Sequence, residues 1–185
     1  MRSILIVGGT KGIGKAIVEE LIDNNKVICM SRNITDFTHD NYTHFQIDST
    51  KDDFPDIENI DTLIYCPGSI NLKPISTLSI ENFRDDFELN VIGAVKAIKK
   101  YLPVIKKGEN PSILLFSTVA TKLGMPYHAS VSASKSAIDG IVKTLGAELA
   151  PKIRVNAIAP TITNTELASK ILRNEKVVEN MIERH

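Results

Sequence analysis

Charge of one sign, long apolar runs and cysteine are all scarce in this chain. Its 22 Lys and Arg balance 22 Asp and Glu, for a formal net charge of +0. Without a basic excess, neither nucleic acid nor an anionic membrane is expected as a partner. No apolar run approaches the length of about 20 residues that spans a bilayer. The N-terminal MRSILIVGG carries one positive charge and only four apolar residues in line before glycine. That is too short for a secretory leader, so a cytoplasmic location is expected. The two cysteines, Cys29 and Cys66, sit in apolar runs and make no disulfide framework. Buried free thiols in a reducing compartment are the expectation, and no metal site is expected. No internal repeat, low-complexity stretch or change of composition marks a linker, so residues 1–185 read as one domain.

What remains is alternation. Short apolar runs at 3–7, 26–31, 43–48, 61–66, 112–117 and 153–159 read as strands. Between them, 15–24, 81–102 and 130–150 carry apolar residues at helical spacing; in 81–102 these are Phe83, Phe87, Ala94, Ile98 and Leu102. Nearly all-apolar strands alternating with helices predict a parallel sheet covered on both faces.

The first strand runs straight into GGTKGIGKAI, residues 8–17. Gly8, Gly12 and Gly14 there provide a tight turn and let backbone approach a phosphate closely. The free amides of the helix that follows would face an anion. A glycine-rich turn alone is weak; strand before and helix after make it a dinucleotide-binding pattern.

This pattern resembles the short-chain dehydrogenase/reductase family, and further landmarks follow in order. Asp48 closes the third strand. Cys66-Pro67-Gly68 stands where the family usually has Asn-Ala-Gly. Asn90 lies in ELNVIGA, STVA (117–120) follows the fifth strand, SASKSA (132–137) matches the tail of the Tyr-xxx-Lys motif, and RVNAIAPTITNT (154–165) closes the series. The resemblance implies a three-layer α/β Rossmann fold, with a doubly wound parallel sheet of six strands in the order 3-2-1-4-5-6. The family's seventh strand is expected to be missing, since the sequence given ends at NMIERH. It implies catalytic roles for Asn90, Thr118 and Lys135. It implies cofactor contacts from Gly8, Thr10, Lys11, Gly12, Ile13, Gly14, Ser31, Arg32, Asp48, Ser49, Cys66, Gly68, Asn90, Lys135, Pro160, Thr161, Thr163 and Thr165. Asp48 could equally be a turn cap, and Cys66 reads as a small buried hydrophobe rather than a nucleophile. Ser117 neighbours Thr118, but adjacent residues of a regular strand face opposite ways, so only one of the two is expected to serve, and Thr118 is the one expected.

At the end of the second strand an acid would bind the ribose of NAD and repel a 2′-phosphate. Ser31 and Arg32 stand there instead, with Lys11 in the glycine loop. A hydroxyl and two cations suit a phosphate, so NADP is expected ahead of NAD. The function implied is an NADP-dependent oxidoreductase moving hydride between nicotinamide and a small carbonyl or alcohol. A homo-oligomer through the helices at 81–105 and 130–150 is implied as well; a monomer at micromolar concentration in sedimentation would contradict it.

One position breaks the pattern. Four residues before Lys135, where the family has its proton-donating tyrosine, the chain has Val131. Valine has no proton to give. Tyr127, His128, or a water driven by Lys135 and held by Asn90 could replace it. Otherwise the chain is a non-catalytic dinucleotide-binding protein: a sensor, a structural partner or a decayed paralogue. Consumption of NADPH against a carbonyl panel separates the two readings.

Overall fold

A computed structural model describes residues 1–172. Its strands are β1 (Arg2–Val7), β2 (Asn25–Ser31), β3 (Tyr42–Gln46), β4 (Thr62–Tyr65), β5 (Ser112–Phe116) and β6 (Arg154–Ile158). They form one sheet in the order β3-β2-β1-β4-β5-β6, with every neighbouring pair parallel. This is the doubly wound Rossmann arrangement expected from the sequence. The helices are α1 (Gly12–Leu21), α2 (Ile80–Phe87), α3 (Gly93–Ile105), α4 (Ala120–Leu123), α5 (Ala129–Leu149) and α6 (Ser169–Leu172). The segment 166–185, in which Leu167, Ile171, Leu172, Val178 and Ile182 give a helical pattern in the sequence, lies mostly outside the described residues. Among the described residues, no helix is long and apolar enough to cross a membrane.

The central strands are apolar along their buried stretches, Ile4–Val7 in β1 and Leu63–Tyr65 in β4, because both faces of the sheet are covered there. In β1, Leu5 and Val7 join a cluster that includes Ile98, Tyr101 and Ile138 from α3 and α5. Ile4 and Ile6 point the other way, toward Val18 and the chain end of α1 at Ile22. β1 lies between β2 and β4, so connections leave it in opposite directions and open a crevice at the carboxyl ends of the strands. The loops there are tied to the sheet: the Gly8 amide donates to the Met30 carbonyl at 2.7 Å, and the Cys66 amide to that of Val7 at 2.9 Å.

The long helix expected over 81–102 is interrupted by one wide π-type turn, Glu88–Ile92, in which the Gly93 amide reaches back to the Glu88 carbonyl. Tyr65 supplies a cause. Its hydroxyl donates to the Leu89 carbonyl at 2.7 Å, taking an acceptor that a regular helix would use internally. Gly93 makes room, since a Cβ there would lie 2.1 Å from the Tyr65 oxygen. The inward face differs from the sequence expectation in one respect: Phe87 is 43% exposed, whereas Asp86 is 0% exposed.

Candidate functional site

Two clefts open at the carboxyl ends of the strands. One, of about 450 Å³, is bordered by the glycine loop, Arg32 and Ser49. The other, of about 700 Å³, is bordered by Thr118, Val131, Lys135 and the segment 160–168. They share Ile13, Cys66, Gly68, Thr165 and Leu167, and so form one continuous groove.

At the first end the backbone forms a cradle. Gly8 and Gly12 hold φ of +82° and +52°, conformations that glycine adopts without strain. α1 begins with no capping side chain and no acidic residue in its first turn. Its leading amides are thus left for an anion. Thr10, Lys11 and Arg32 border this end. The Lys11 ammonium meets Glu166 at 2.8 Å, with both side chains exposed, a contact that contributes little by itself. The Ser31 hydroxyl donates to the Asn33 carbonyl at 2.9 Å and lies 2.8 Å from Nε2 of His44. Asp48 lies two residues beyond the end of β3, and its carboxylate accepts from the hydroxyl and amide of Thr50. That is the turn-cap arrangement, and Asp48 does not border the cleft.

At the other end, several polar groups converge. The Lys135 ammonium donates to the Phe116 carbonyl at 2.8 Å. Asn90, on the wide turn, donates to the Asp86 carbonyl at 2.7 Å and to Ser69 Oγ at 3.1 Å. Its Oδ1 is buried without a partner. A Cβ added at Gly68 would lie 3.8 Å from that oxygen and 3.9 Å from the Lys135 nitrogen. The two polar tips therefore flank bare backbone where the clefts meet. β5 ends at Phe116, so strand alternation does not govern the next residues, and both Ser117 and Thr118 border the cleft. The expectation that only one of them could reach the site assumed a strand that continues. Ser117 Oγ is buried and unpartnered, whereas Thr118 Oγ1 accepts from the Ala120 amide at 3.3 Å. Pro160, Thr161, Thr163 and Thr165 also line the groove.

Burial lowers the Lys135 ammonium from the ordinary 10.5 to about 8, with the Asp86 carboxylate pulling the other way. Below pH 8 the group is charged both folded and unfolded, so the full cost of burying it, about 3 kcal/mol, is present. That cost fades as pH rises from about 8 to 10.5, because the unfolded chain then holds the extra proton. Lys135→Met should therefore melt higher than the parent at pH 7, by roughly 6–12 °C, with the gap narrowing above pH 8. Calorimetry at several pH values without ligand checks this; a variant that melts lower at every pH would contradict it. Burial likewise pushes the Cys66 thiol up to about 12, in keeping with a thiol that packs rather than attacks.

Val131 is 7% exposed and borders the cleft. Tyr127, four residues earlier and before the start of α5, is 60% exposed and lies outside the groove lining. Its backbone turns at φ +67°, and its carbonyl accepts from the Lys73 amide at 3.2 Å. His128 does border the cleft, with Nδ1 donating to the Pro126 carbonyl at 2.6 Å. Two further residues escaped the sequence reading. Ser69 borders the cleft, and its hydroxyl donates to Asp86 at 2.5 Å. The signal for Asp86 was its spacing: four residues before Asn90 on one helix, it falls on the inward face, where a carboxylate is costly unless partnered.

Among the described residues, no group of three or more His, Cys, Asp or Glu could hold a metal. A family model described as short chain dehydrogenase matches residues 2–176. A tropinone reductase homolog of Datura stramonium is 29% identical over 97% of this chain and 76% of its own length. A 3alpha-hydroxysteroid dehydrogenase of Mediterraneibacter gnavus is 26% identical over 96% and 79%. Among solved structures, ligand-free aldohexose dehydrogenase of Thermoplasma acidophilum superposes with a TM-score of 0.85 at 25% identity, covering 97% of this chain and 75% of that one. ElxO with NADP bound superposes with a TM-score of 0.81 at 25% identity, covering 94% and 79%.

Proposed function

The chain belongs to the short-chain dehydrogenase family of oxidoreductases, and from that premise we propose that it is an NADP-dependent enzyme moving hydride between nicotinamide and a small carbonyl or alcohol. The observation that carries this reading is the convergence at Gly68. There the phosphate cradle and the polar cluster share one groove, and the Lys135 ammonium and the orphaned Asn90 Oδ1 both approach bare backbone. A buried, unpartnered amide oxygen is costly, and a sugar hydroxyl in the groove would satisfy it. In this reading Gly8, Thr10, Gly12, Ile13 and Gly14 cradle the pyrophosphate, while Lys11 and Arg32 receive a 2′-phosphate. Lys135 and Asn90 hold the nicotinamide ribose, and Pro160, Thr161, Thr163 and Thr165 close over the ring. When bound, the nicotinamide supplies or takes the hydride. Thr118 and Ser117 then hold the substrate oxygen by hydrogen bonding, with Val119 and Val131 packing beside it. The relative solved with NADP bound supports a phosphorylated cofactor. A homo-oligomer through α2, α3 and α5 belongs to the same reading; Ile80, Phe87 and Ile92 are exposed on those elements and the turn between them.

Arg32→Ala is expected to weaken NADPH binding about tenfold, one charge-assisted contact's worth, and to leave NADH binding within a factor of two or so. Fluorescence titration of both cofactors checks it. Tighter binding of NADH than NADPH by the parent, or no change in the variant, would overturn the NADP preference. Steady consumption of NADPH against a carbonyl panel favours the enzyme; binding without consumption favours the second reading, a non-catalytic dinucleotide-binding protein, which Val131 keeps in play.

A further inference from the structure

We propose that Ser69 and Asp86 form a proton relay in the wall of the substrate cleft, taking over the proton transfer that Val131 cannot perform. The proposal rests on the oxidoreductase reading above. Its basis is a chain of three contacts. Ser69 borders the cleft. Its oxygen accepts from Asn90 Nδ2 at 3.1 Å, and its proton goes to Asp86 Oδ1 at 2.5 Å. A serine oxygen has two acceptor sites; Asn90 fills one, so one remains for a substrate hydroxyl. Among the described residues bordering that cleft, Ser69 is the one whose hydroxyl donates to a carboxylate. The hydroxyls of Ser117 and Thr118 have no such base behind them.

Asp86 is built into this place. It is 0% exposed, and Asn71 also donates to its Oδ1, at 2.6 Å. Its Oδ2 is buried without a partner. A buried carboxylate with an empty acceptor site costs stability, because nothing compensates the lost hydration of that oxygen. The neutral amide of Asn71, the hydroxyl of Ser69 and the more distant ammonium of Lys135 are the groups that face it. A short O–H···O contact to a carboxylate is the strong, charge-assisted kind, and it already points the Ser69 proton toward the base.

In alcohol oxidation the step balances as follows. The carbinol C–H bond breaks and its hydride goes to an oxidised nicotinamide dinucleotide, which is reduced. The O–H bond breaks as its proton passes to Ser69 Oγ, while Ser69's own proton passes to Asp86 Oδ1. The carbonyl forms, and the departing product leaves Ser69 free to return the proton from Asp86 to water in the cleft. Carbonyl reduction runs the same steps backward from protonated Asp86. Ser69 touches the substrate oxygen and is the catalytic residue; Asp86 acts through it and is a positioning and proton-holding residue.

The test uses the full chain with NADPH and a carbonyl that the parent reduces. Ser69→Ala and Asp86→Asn should each lower kcat by about a hundredfold, with KM and NADPH affinity little changed. In a Val131→Tyr background, where a phenol supplies a second route, the same two changes should cost at least about tenfold less. A merely structural Asp86 would cost the same in both backgrounds, and that result overturns the relay. So does a loss below about threefold in the parent, or a parent that binds NADPH and reduces nothing, which would leave the dinucleotide reading standing. A parent that does not bind NADPH sinks that reading and the relay with it. Should Asp86→Asn fail to fold, Ser69→Ala carries the same comparison alone.

Discussion

Gly14→Ala is expected to destroy dinucleotide binding and to destabilise the chain by about 3 kcal/mol or more, the upper end for forced overpacking. The added Cβ would lie 2.2 Å from the Gly8 carbonyl oxygen, 3.0 Å from its carbon and 3.1 Å from the Gly9 Cα. All three are backbone atoms, so no flexible side-chain tip can yield. Alanine also favours a helix over glycine, by roughly 0.5–1 kcal/mol, but the clash outweighs that gain. The glycine loop must move away from α1, and the amide cradle moves with it. Gly140→Ala, in α5, is the control: nothing lies within 4 Å of its added Cβ, so the helix gain should stand alone. Melting curves and NADPH titration of the two variants check the pair. A Gly14→Ala protein that melts and binds like the parent would contradict the close approach described here.

Val131→Tyr is expected to raise turnover of a generic carbonyl by about tenfold or more. The position borders the cleft on α5, four residues before Lys135, so a tyrosine there would sit one helical turn away on the same face. The nearby ammonium would lower the phenol pKa toward working pH, where acid–base catalysis is efficient. The cleft, at about 700 Å³, has room for the ring. Tyr127→Phe should leave the parent's rate unchanged, because that side chain is 60% exposed and outside the groove. Steady-state rates of the three proteins decide it. A parent already fast, slowed sharply by Tyr127→Phe, would mean that the proton donor has moved along the chain and that Ser69 and Asp86 are not needed.

The sheet was legible from the sequence because its strands are apolar on both faces and its helices are amphipathic, and these two patterns differ in period. The order of strands followed from the resemblance, since periodicity says nothing about which strands are neighbours. The cradle was legible as well, because Gly8, Gly12 and Gly14 sit between a strand and a helix. The Ser69–Asp86 contact was not. It joins a loop after β4 to a helix, residues 17 positions apart, and no local pattern brings them together. The register of that helix departs from its apolar spacing at one place: Phe87 is exposed while Asp86 is buried. Apolarity alone favoured the phenylalanine. The wide turn at Glu88–Ile92, which sets where Asn90 points, depends on the Tyr65 hydroxyl reaching Leu89 from another element. Asp48 shows the same limit at shorter range. It seemed to close a strand, but β3 stops at Gln46 and the carboxylate caps Thr50.

The most direct test of the central claim is a single-turnover experiment with NADPH carrying deuterium at its transferable nicotinamide position. The protein is mixed with it and a panel of small carbonyls, and the alcohols formed are read by mass spectrometry. The account predicts deuterium on the carbinol carbon, transferred slowly by the parent and faster by Val131→Tyr. Tight binding of NADPH with no deuterium transferred, in the parent and in Val131→Tyr alike, would contradict it.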